Sequence, residues 1–85
     1  MIPTLYSVYA IKSQKDGRIY VGLSNNINNR LAAHNRGEVT STKGYRPWTL
    51  IFSERVGSRI DARKKEKYYK SGCGKEFLKT ISQQK

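Results

Sequence analysis

Residues 5–24 read LYSVYAIKSQKDGRIYVGLS, and this stretch decides the fold. Two runs, 5–13 and 18–24, are rich in tyrosine and β-branched residues, which is typical of strands. Asp16-Gly17 lies between them, and this dipeptide favours a tight turn because both residues tolerate a positive φ. The stretch therefore predicts an antiparallel hairpin.

The position of the turn predicts the register of the hairpin. If Asp16 and Gly17 are the two turn residues, Lys15 pairs with Arg18 and Tyr9 with Ser24. Tyr9 and Tyr20 then lie about four residues apart along the ladder, roughly 13 Å by strand rise. Only a bulge or a strong twist would bring the two rings closer together.

Alternation along the two strands predicts what each face of the hairpin carries. A register slip of one residue would mix polar and apolar side chains, so the pattern favours this parity. One face is apolar and carries Val8, Ala10, Ile19, Val21 and Leu23, whereas the other carries Tyr9, Ser13, Tyr20, Gly22 and Ser24.

The remaining elements follow from caps, periodicity and breakers. The pattern predicts a helix over 26–36 ended by Gly37, a strand over 48–53, a helix over 58–70 capped by Ser58, and a last helix over 75–83. Gly72 and Gly74 are expected to separate the last two helices. The predicted order is β-β-α-β-α-α, an α+β fold with a small three-stranded antiparallel sheet flanked by helices.

Composition limits the class of protein. The chain has 85 residues, which predicts one domain over 1–85, and a net charge of +11, which predicts a polyanionic partner such as nucleic acid. Cys73 is the only cysteine, so no intrachain disulfide can form. No apolar run reaches a membrane span, and the first four residues do not resemble a signal peptide. We expect a cytoplasmic monomer without membrane contact, with a dimer or a complex with a protein partner as the alternative.

Several polar residues outside these runs could carry chemistry. Arg30 and His34 are four residues apart and therefore neighbours on the surface of their predicted helix. Glu66 is an acid among cationic residues, where it could also be an ordinary ion-pair partner. Tyr9 and Tyr20 could be ordinary strand aromatics, and His34 an ordinary structural histidine.

Taken together and in order, these residues resemble a GIY-YIG endonuclease domain. The paired tripeptides read Ser7-Val8-Tyr9 and Tyr20-Val21-Gly22, followed by Arg30 and Glu66 at family-like positions. The likeness covers about Leu5 to Lys70. It is greatest to the small stand-alone members, of the UPF0213-like and UvrC amino-terminal type, through the segments 16–22 and 63–67.

The resemblance implies a role for each site residue. Glu66 would bind one divalent ion, Mg²⁺ or Mn²⁺, and Arg30 would stabilise charge on the phosphate. Tyr9 and Tyr20 would position or deprotonate the attacking water, and His34 would accept a tyrosine proton. Some relatives carry a lysine where this chain has Leu23, and many carry an asparagine after the glutamate helix that is missing here. Lys70 or Ser71 could occupy that space.

Two further sets of residues concern substrate contact. Gly22 lacks a side chain where a phosphate or metal could approach closely, although it could equally be a strand glycine tolerated for packing. Tyr45 and Trp48 could stack on a base, with core packing preferred for Trp48. Cationic residues predicted to hold nucleic acid are Lys12, Lys43, Arg46, Arg59, Arg63, Lys64, Lys67 and Lys70.

The function predicted from the sequence is metal-dependent cleavage of DNA with low sequence specificity, of a kind that suits DNA repair or recombination. The main alternative is a basic DNA-binding module of the same fold without catalysis. A third is a structural partner in a larger repair or restriction complex.

Overall fold

The computed structural model describes residues 4–83, so the predicted absence of a signal peptide concerns a segment, 1–3, outside the described residues. Its elements follow the predicted β-β-α-β-α-α order, with one additional turn of 3-10 helix at Lys43–Tyr45. They are β1 (Tyr6–Ser13), β2 (Ile19–Ser24), α1 (Ile27–Arg36), β3 (Trp48–Gly57), α2 (Arg59–Lys70) and α3 (Gly72–Ser82). Within the described residues no helix is long and apolar enough to cross a membrane.

The sheet is antiparallel with strand order β2-β1-β3, which confirms the predicted α+β fold and leaves β1 in the centre. Strand β3 runs to Gly57, four residues beyond the predicted end at Ser53. Its pairing with β1 contains irregularities at Tyr6/Ser7 and Ala10/Ile11. Such bulges bend a strand and increase its twist.

The register predicted for the hairpin is wrong by two residues. Tyr9 pairs with Gly22, and Ser13 rather than Lys15 closes the loop by donating its backbone N–H to the carbonyl of Arg18 at 2.9 Å. The Ser13 hydroxyl accepts from the N–H groups of Lys15 and Asp16, which holds the first half of a four-residue loop. A longer loop is therefore preferred over a two-residue turn because Ser13 satisfies its backbone groups.

The predicted parity of the faces is confirmed, because a shift of two residues keeps each side chain on its own side. Helices α2 and α3 cover the apolar face, where Val8, Ala10 and Val21 pack with Ala62 and Leu78. Helix α1 and the 3-10 turn cover the other face, where a second core contains Tyr9, Ile11 and Trp48. Each face of this small sheet is therefore packed.

The helix ends follow the predicted chemistry for α1 and α2. Asn26 caps α1 by accepting from the N–H of Asn29, and Gly37 ends it at a φ of 80°. Ser58 caps α2 by accepting from the N–H of Asp61. Both capping side chains satisfy an N–H that the first helical turn leaves free.

The predicted start of the last helix is wrong. Helix α3 begins at Gly72, so both glycines lie inside it, and the break from α2 is confined to Ser71. Gly74 is needed there for contact between helices, since a Cβ at this position would lie 2.3 Å from the carbonyl oxygen of Tyr68. Close packing against α2 thus outweighs the poor helix propensity of glycine.

Candidate active site

The centre of the candidate site is a buried hydrogen bond between strand β1 and helix α1. The hydroxyl of Tyr9 lies 2.9 Å from Nε2 of His34, and the two residues are 2% and 0% exposed. On the far side of the imidazole, Nδ1 lies 2.8 Å from the hydroxyl of Thr42. All three side chains are therefore held in one chain of contacts away from bulk water.

The contacts of Thr42 favour one direction for this chain of hydrogen bonds. Its hydroxyl donates to the carbonyl of Val39, so it accepts from the Nδ1–H of His34. Nε2 is then the unprotonated nitrogen and accepts from the hydroxyl of Tyr9. His34 is thus set in the tautomer that can take a proton from Tyr9.

Sequence reasoning missed Thr42, which it placed only in a loop. The residue is 1% exposed, and its carbonyl accepts from the indole N–H of Trp48 at 3.0 Å. No property of the segment 38–45 distinguishes this threonine from Thr40 or Ser41. The only available signal was the single histidine, since a buried imidazole needs a partner for its second nitrogen.

Gly22 makes room for the Tyr9 ring. A Cβ at position 22 would lie 2.6 Å from the Tyr9 hydroxyl oxygen and 2.8 Å from Cζ. A close approach at Gly22 was expected from a phosphate or a metal ion, but the group found there is the phenol of Tyr9. The glycine therefore acts by letting the ring lie flat over the neighbouring strand.

Tyr20 lies beside the same imidazole. Its ring centroid is 5.1 Å from that of His34 in an edge-to-face arrangement, and 6.4 Å from that of Trp48. The expected separation of roughly 13 Å from Tyr9 is wrong, because in the observed register Tyr20 is a diagonal neighbour of Tyr9. Tyr20 is only partly buried, so its side chain borders solvent.

Arg30 and Glu66 lie close enough to act on Tyr9 through their charges. Burial raises the pKa of Tyr9 above 10.0; Arg30 opposes this by favouring the phenolate, whereas Tyr20 and Glu66 reinforce it. The net pKa of Tyr9 is raised, so the phenol is protonated near neutral pH. Helices α1 and α2 thus bring an arginine and a carboxylate to one phenol on β1.

His34 is a neutral base at neutral pH. Burial lowers its pKa below the ordinary 6.5, and the positive charge of Arg30 lowers it further. The imidazole therefore loses its proton at a lower pH than a solvent-exposed histidine would. It can accept a proton at neutral pH without first having to release one.

Glu66 is the residue that could hold a metal ion. Its side chain is 16% exposed and lies 3.9 Å from Arg63 and 3.4 Å from Lys70, the contacts expected of an ion-pair residue. Across residues 4–83 no cluster of three or more histidine, cysteine or acidic side chains could form a metal cage. A single carboxylate still fits Mg²⁺, which keeps several waters and takes the rest of its ligands from phosphate oxygens.

Comparison with known proteins shows the family of the chain. The family model described as the GIY-YIG catalytic domain matches residues 5–78. The chain belongs to the GIY-YIG family. It is 34% identical over 77 residues to UPF0213 proteins of Staphylococcus haemolyticus and Staphylococcus saprophyticus, and 32% identical to that of Staphylococcus aureus. Each match covers 89% of this chain and 93% of the relative.

Membership of this family supports a nuclease-type function and nucleic acid as the substrate. The five predicted site residues of this GIY-YIG domain lie in four elements, the strands β1 and β2 and the helices α1 and α2. Tyr9, Tyr20 and His34 are in direct contact, and Arg30 and Glu66 act on Tyr9 through charge. The contacts of Lys70 and Ser71 do not identify either residue as a replacement for the missing asparagine. Lys70 pairs with Glu66, and the hydroxyl of Ser71 donates to the carbonyl of Tyr68.

The predicted DNA-contacting cations of the GIY-YIG domain lie in three surface regions. Arg59, Arg63, Lys64 and Lys67 border a shallow groove on α2, and Lys43 and Arg46 border another beside the 3-10 turn. Lys12 and Lys70 border a third groove, together with Arg18, Lys75 and Lys79. Arg18, Lys75 and Lys79 were not among the cations predicted from the sequence to contact DNA.

Two aromatic residues considered for base stacking differ in exposure. Trp48 is 4% exposed and packs in the second core, which confirms the preferred prediction of core packing. Tyr45 is only partly buried, but the guanidinium carbon of Arg18 lies 3.5 Å from its ring centroid. The face of Tyr45 is therefore already covered by a cation.

Proposed function

We propose that this protein is a metal-dependent endonuclease that hydrolyses DNA phosphodiester bonds with low sequence specificity. The observation that carries the proposal is the buried hydrogen bond from Tyr9 to Nε2 of His34, at 2.9 Å. Its neighbours supply the other needs of phosphodiester hydrolysis, a cation for the phosphate and a carboxylate for a metal ion.

In the proposed reaction Tyr9 relays a proton. The attacking water gives a proton to the Tyr9 oxygen while the Tyr9 hydroxyl proton passes to Nε2 of His34. The raised pKa of Tyr9 argues against a stable phenolate, so a relay suits this residue better than a standing base. The imidazolium that forms keeps its Nδ1–H bond to Thr42.

Arg30 would bind the incoming phosphate, and this contact would change the pKa of His34. The guanidinium would bind a non-bridging oxygen and stabilise the charge that develops there. The negative charge of the phosphate would offset that of Arg30, which is one of the two causes of the low pKa of His34. Bound DNA would therefore make His34 a stronger base than it is in the free protein.

A divalent cation at Glu66 would polarise the phosphate and stabilise the leaving oxygen. Because Glu66 belongs to no group of three or more possible metal ligands within residues 4–83, affinity for the free ion should be weak and should rise when DNA is bound. Tyr20, which lies against His34 and borders solvent, would position the attacking water.

The proposed low sequence specificity follows from the net positive charge of the protein. A net charge of +11 favours contacts to phosphates, which carry no sequence information. A role in DNA repair or recombination would suit such an activity, and the protein would act in the cytoplasm as a monomer, as one domain over 1–85.

The test is incubation of the purified protein with plasmid and oligonucleotide DNA in Mg²⁺, in Mn²⁺ and in chelator. Glu66→Ala should abolish cleavage while DNA affinity is nearly retained, because the change removes a metal ligand and no phosphate contact. Glu54→Ala is the matched control, since Glu54 also pairs with a lysine but its carboxylate binds Tyr69. Cleavage by Glu66→Ala at the wild-type rate would refute this role for Glu66.

The alternative is a DNA-binding module without catalysis. It is favoured by one observation, that Glu66 is already paired with Arg63 and Lys70 as a structural residue would be. Tight DNA binding by the wild type, with no cleavage in either metal, would support it.

A further inference from the structure

A basic groove of about 620 Å³ lies beside the candidate site. It runs between the β1–β2 hairpin and helix α3. Its cationic lining residues are Lys12, Arg18, Lys70, Lys75 and Lys79, and none of its lining residues within 4–83 is acidic. Such a concentration of one charge sign attracts a polyanion.

Three of these cations have no ion-pair partner among residues 4–83. Arg18 is paired with Asp16 and Lys70 with Glu66, but Lys12, Lys75 and Lys79 form no salt bridge within the described residues. Lys75 and Lys79 are also four residues apart on α3, an arrangement in which like charges destabilise a helix. A bound anion would remove that repulsion.

The floor of the groove is apolar. Ile19, Val21 and Leu78 contribute to it below the lysines. The volume is in the range of sites that take a small molecule, so one or two nucleotides fit. An apolar floor under a cationic rim is the arrangement that holds an unpaired strand, with bases packed below and phosphates above.

The groove borders the candidate site across the edge strand β2. Tyr20 lines it and its ring also contacts the imidazole of His34. Lys70 lines it and its ammonium lies 3.4 Å from a carboxylate oxygen of Glu66. A strand that passes the site can therefore continue into the groove.

We infer that this groove binds an unpaired nucleic-acid strand that leaves the cleavage site, so that the preferred substrate carries a single-stranded arm next to the cut. The phosphates lie on Lys12, Lys75 and Lys79, and the bases pack against the partly exposed side chain of Ile19. The statement that the strand leaves a cleavage site rests on the proposed function, whereas binding of the strand in the groove does not require catalysis.

The test is equilibrium binding by fluorescence anisotropy, in chelator, to a labelled single strand and to a blunt duplex of equal length. The groove variant is Lys75→Gln/Lys79→Gln, and the control is Lys64→Gln/Lys67→Gln, which removes the same charge from α2. All four lysines are exposed, and the circular dichroism spectrum checks that each variant is folded.

The groove variant should lose roughly tenfold or more in affinity for the single strand at 0.1 M salt, and its salt slope should fall by about 1.4 for two lost phosphate contacts. Its affinity for the duplex should fall no more than that of the control. Equal losses for both ligands in both variants would overturn the inference.

The binding experiment tests the groove separately from the proposed cleavage activity. If the wild type binds the single strand through the groove but cuts nothing, the proposed function fails and the groove remains a strand site. If it cuts duplex and single-stranded arms alike, and the groove variant binds both as the control does, the endonuclease proposal stands and the groove inference fails.

Discussion

Gly22→Ala tests how tightly the candidate site is packed. The new methyl group would lie 2.6 Å from the Tyr9 hydroxyl oxygen and 2.8 Å from Cζ, so the ring must move by several tenths of an ångström or more. Tyr9 is 2% exposed and has no free space to enter. Movement of the ring would lengthen the 2.9 Å contact with His34 and leave two buried polar groups poorly paired.

The magnitude follows from three contributions. Overpacking a full interior costs about 1–3 kcal/mol, and an unsatisfied buried polar group costs about 1–3 kcal/mol more. Removing a glycine from a strand returns about 0.5–1 kcal/mol. We expect the free energy of unfolding to fall by about 1–5 kcal/mol, with the melting temperature lowered by roughly 4–8 °C for each kcal/mol lost.

The assay is thermal and urea denaturation of the wild type and four variants, of which Gly22→Ala is the first. Gly44→Ala is the control, because a Cβ there has no heavy atom within 4 Å and Gly44 is exposed. Tyr9→Phe and the double variant Gly22→Ala/Tyr9→Phe complete a double-mutant cycle, in which loss of the hydroxyl removes the shortest contact. The two changes should couple favourably. A Gly22→Ala protein as stable as Gly44→Ala, with no coupling to Tyr9, would refute the reasoning.

Two further predictions concern the base and its support. His34→Ala should lower the single-turnover cleavage rate by roughly 10²–10⁴ with little change in DNA affinity; the wild-type rate should rise with pH below 6.5 and level off near neutrality, since burial and Arg30 lower the pKa of His34 and a base acts when deprotonated. A variant with the wild-type rate and profile would make His34 purely structural. Thr42→Val should destabilise the protein by about 1–3 kcal/mol and alter the pH profile, because Nδ1–H of His34 loses its acceptor, whereas Thr42→Ser should keep both near wild type. Equal behaviour of the valine and serine variants, measured by denaturation and pH–rate profiles, would argue against this role.

The sequence predicts most of the fold because local chemistry decides it. Side-chain alternation assigned the residues to the two faces of the hairpin. Asn26 and Ser58 cap the N-termini of α1 and α2, and Gly37 ends α1, as capping chemistry requires. Alternation fixes parity, however, and a register shift of two residues preserves parity. The hydroxyl of Ser13, which bonds two loop N–H groups, decided between the two registers.

The candidate site was predictable in residue type and less so in geometry. Its tyrosines, arginine, histidine and glutamate could be named, but Tyr9 and Tyr20 were placed too far apart because their distance follows from the register. Thr42 could not be named, because its role arises from the fold of a loop around His34. Gly74 was read as a breaker because only the packed helices reveal how closely they approach.

The central position of β1 ties the candidate site to the whole molecule. Tyr9 lies on the one strand that is hydrogen-bonded on both edges and packed on both faces. Backbone amides in such a strand exchange with solvent only when the protein opens globally. The phenol therefore cannot be released by local fraying, and any mutation that lowers global stability lowers, by the same amount, the energy needed to disassemble the site. Proteolysis or mild heat should abolish all functions of the Tyr9–His34 pair together, in one cooperative step.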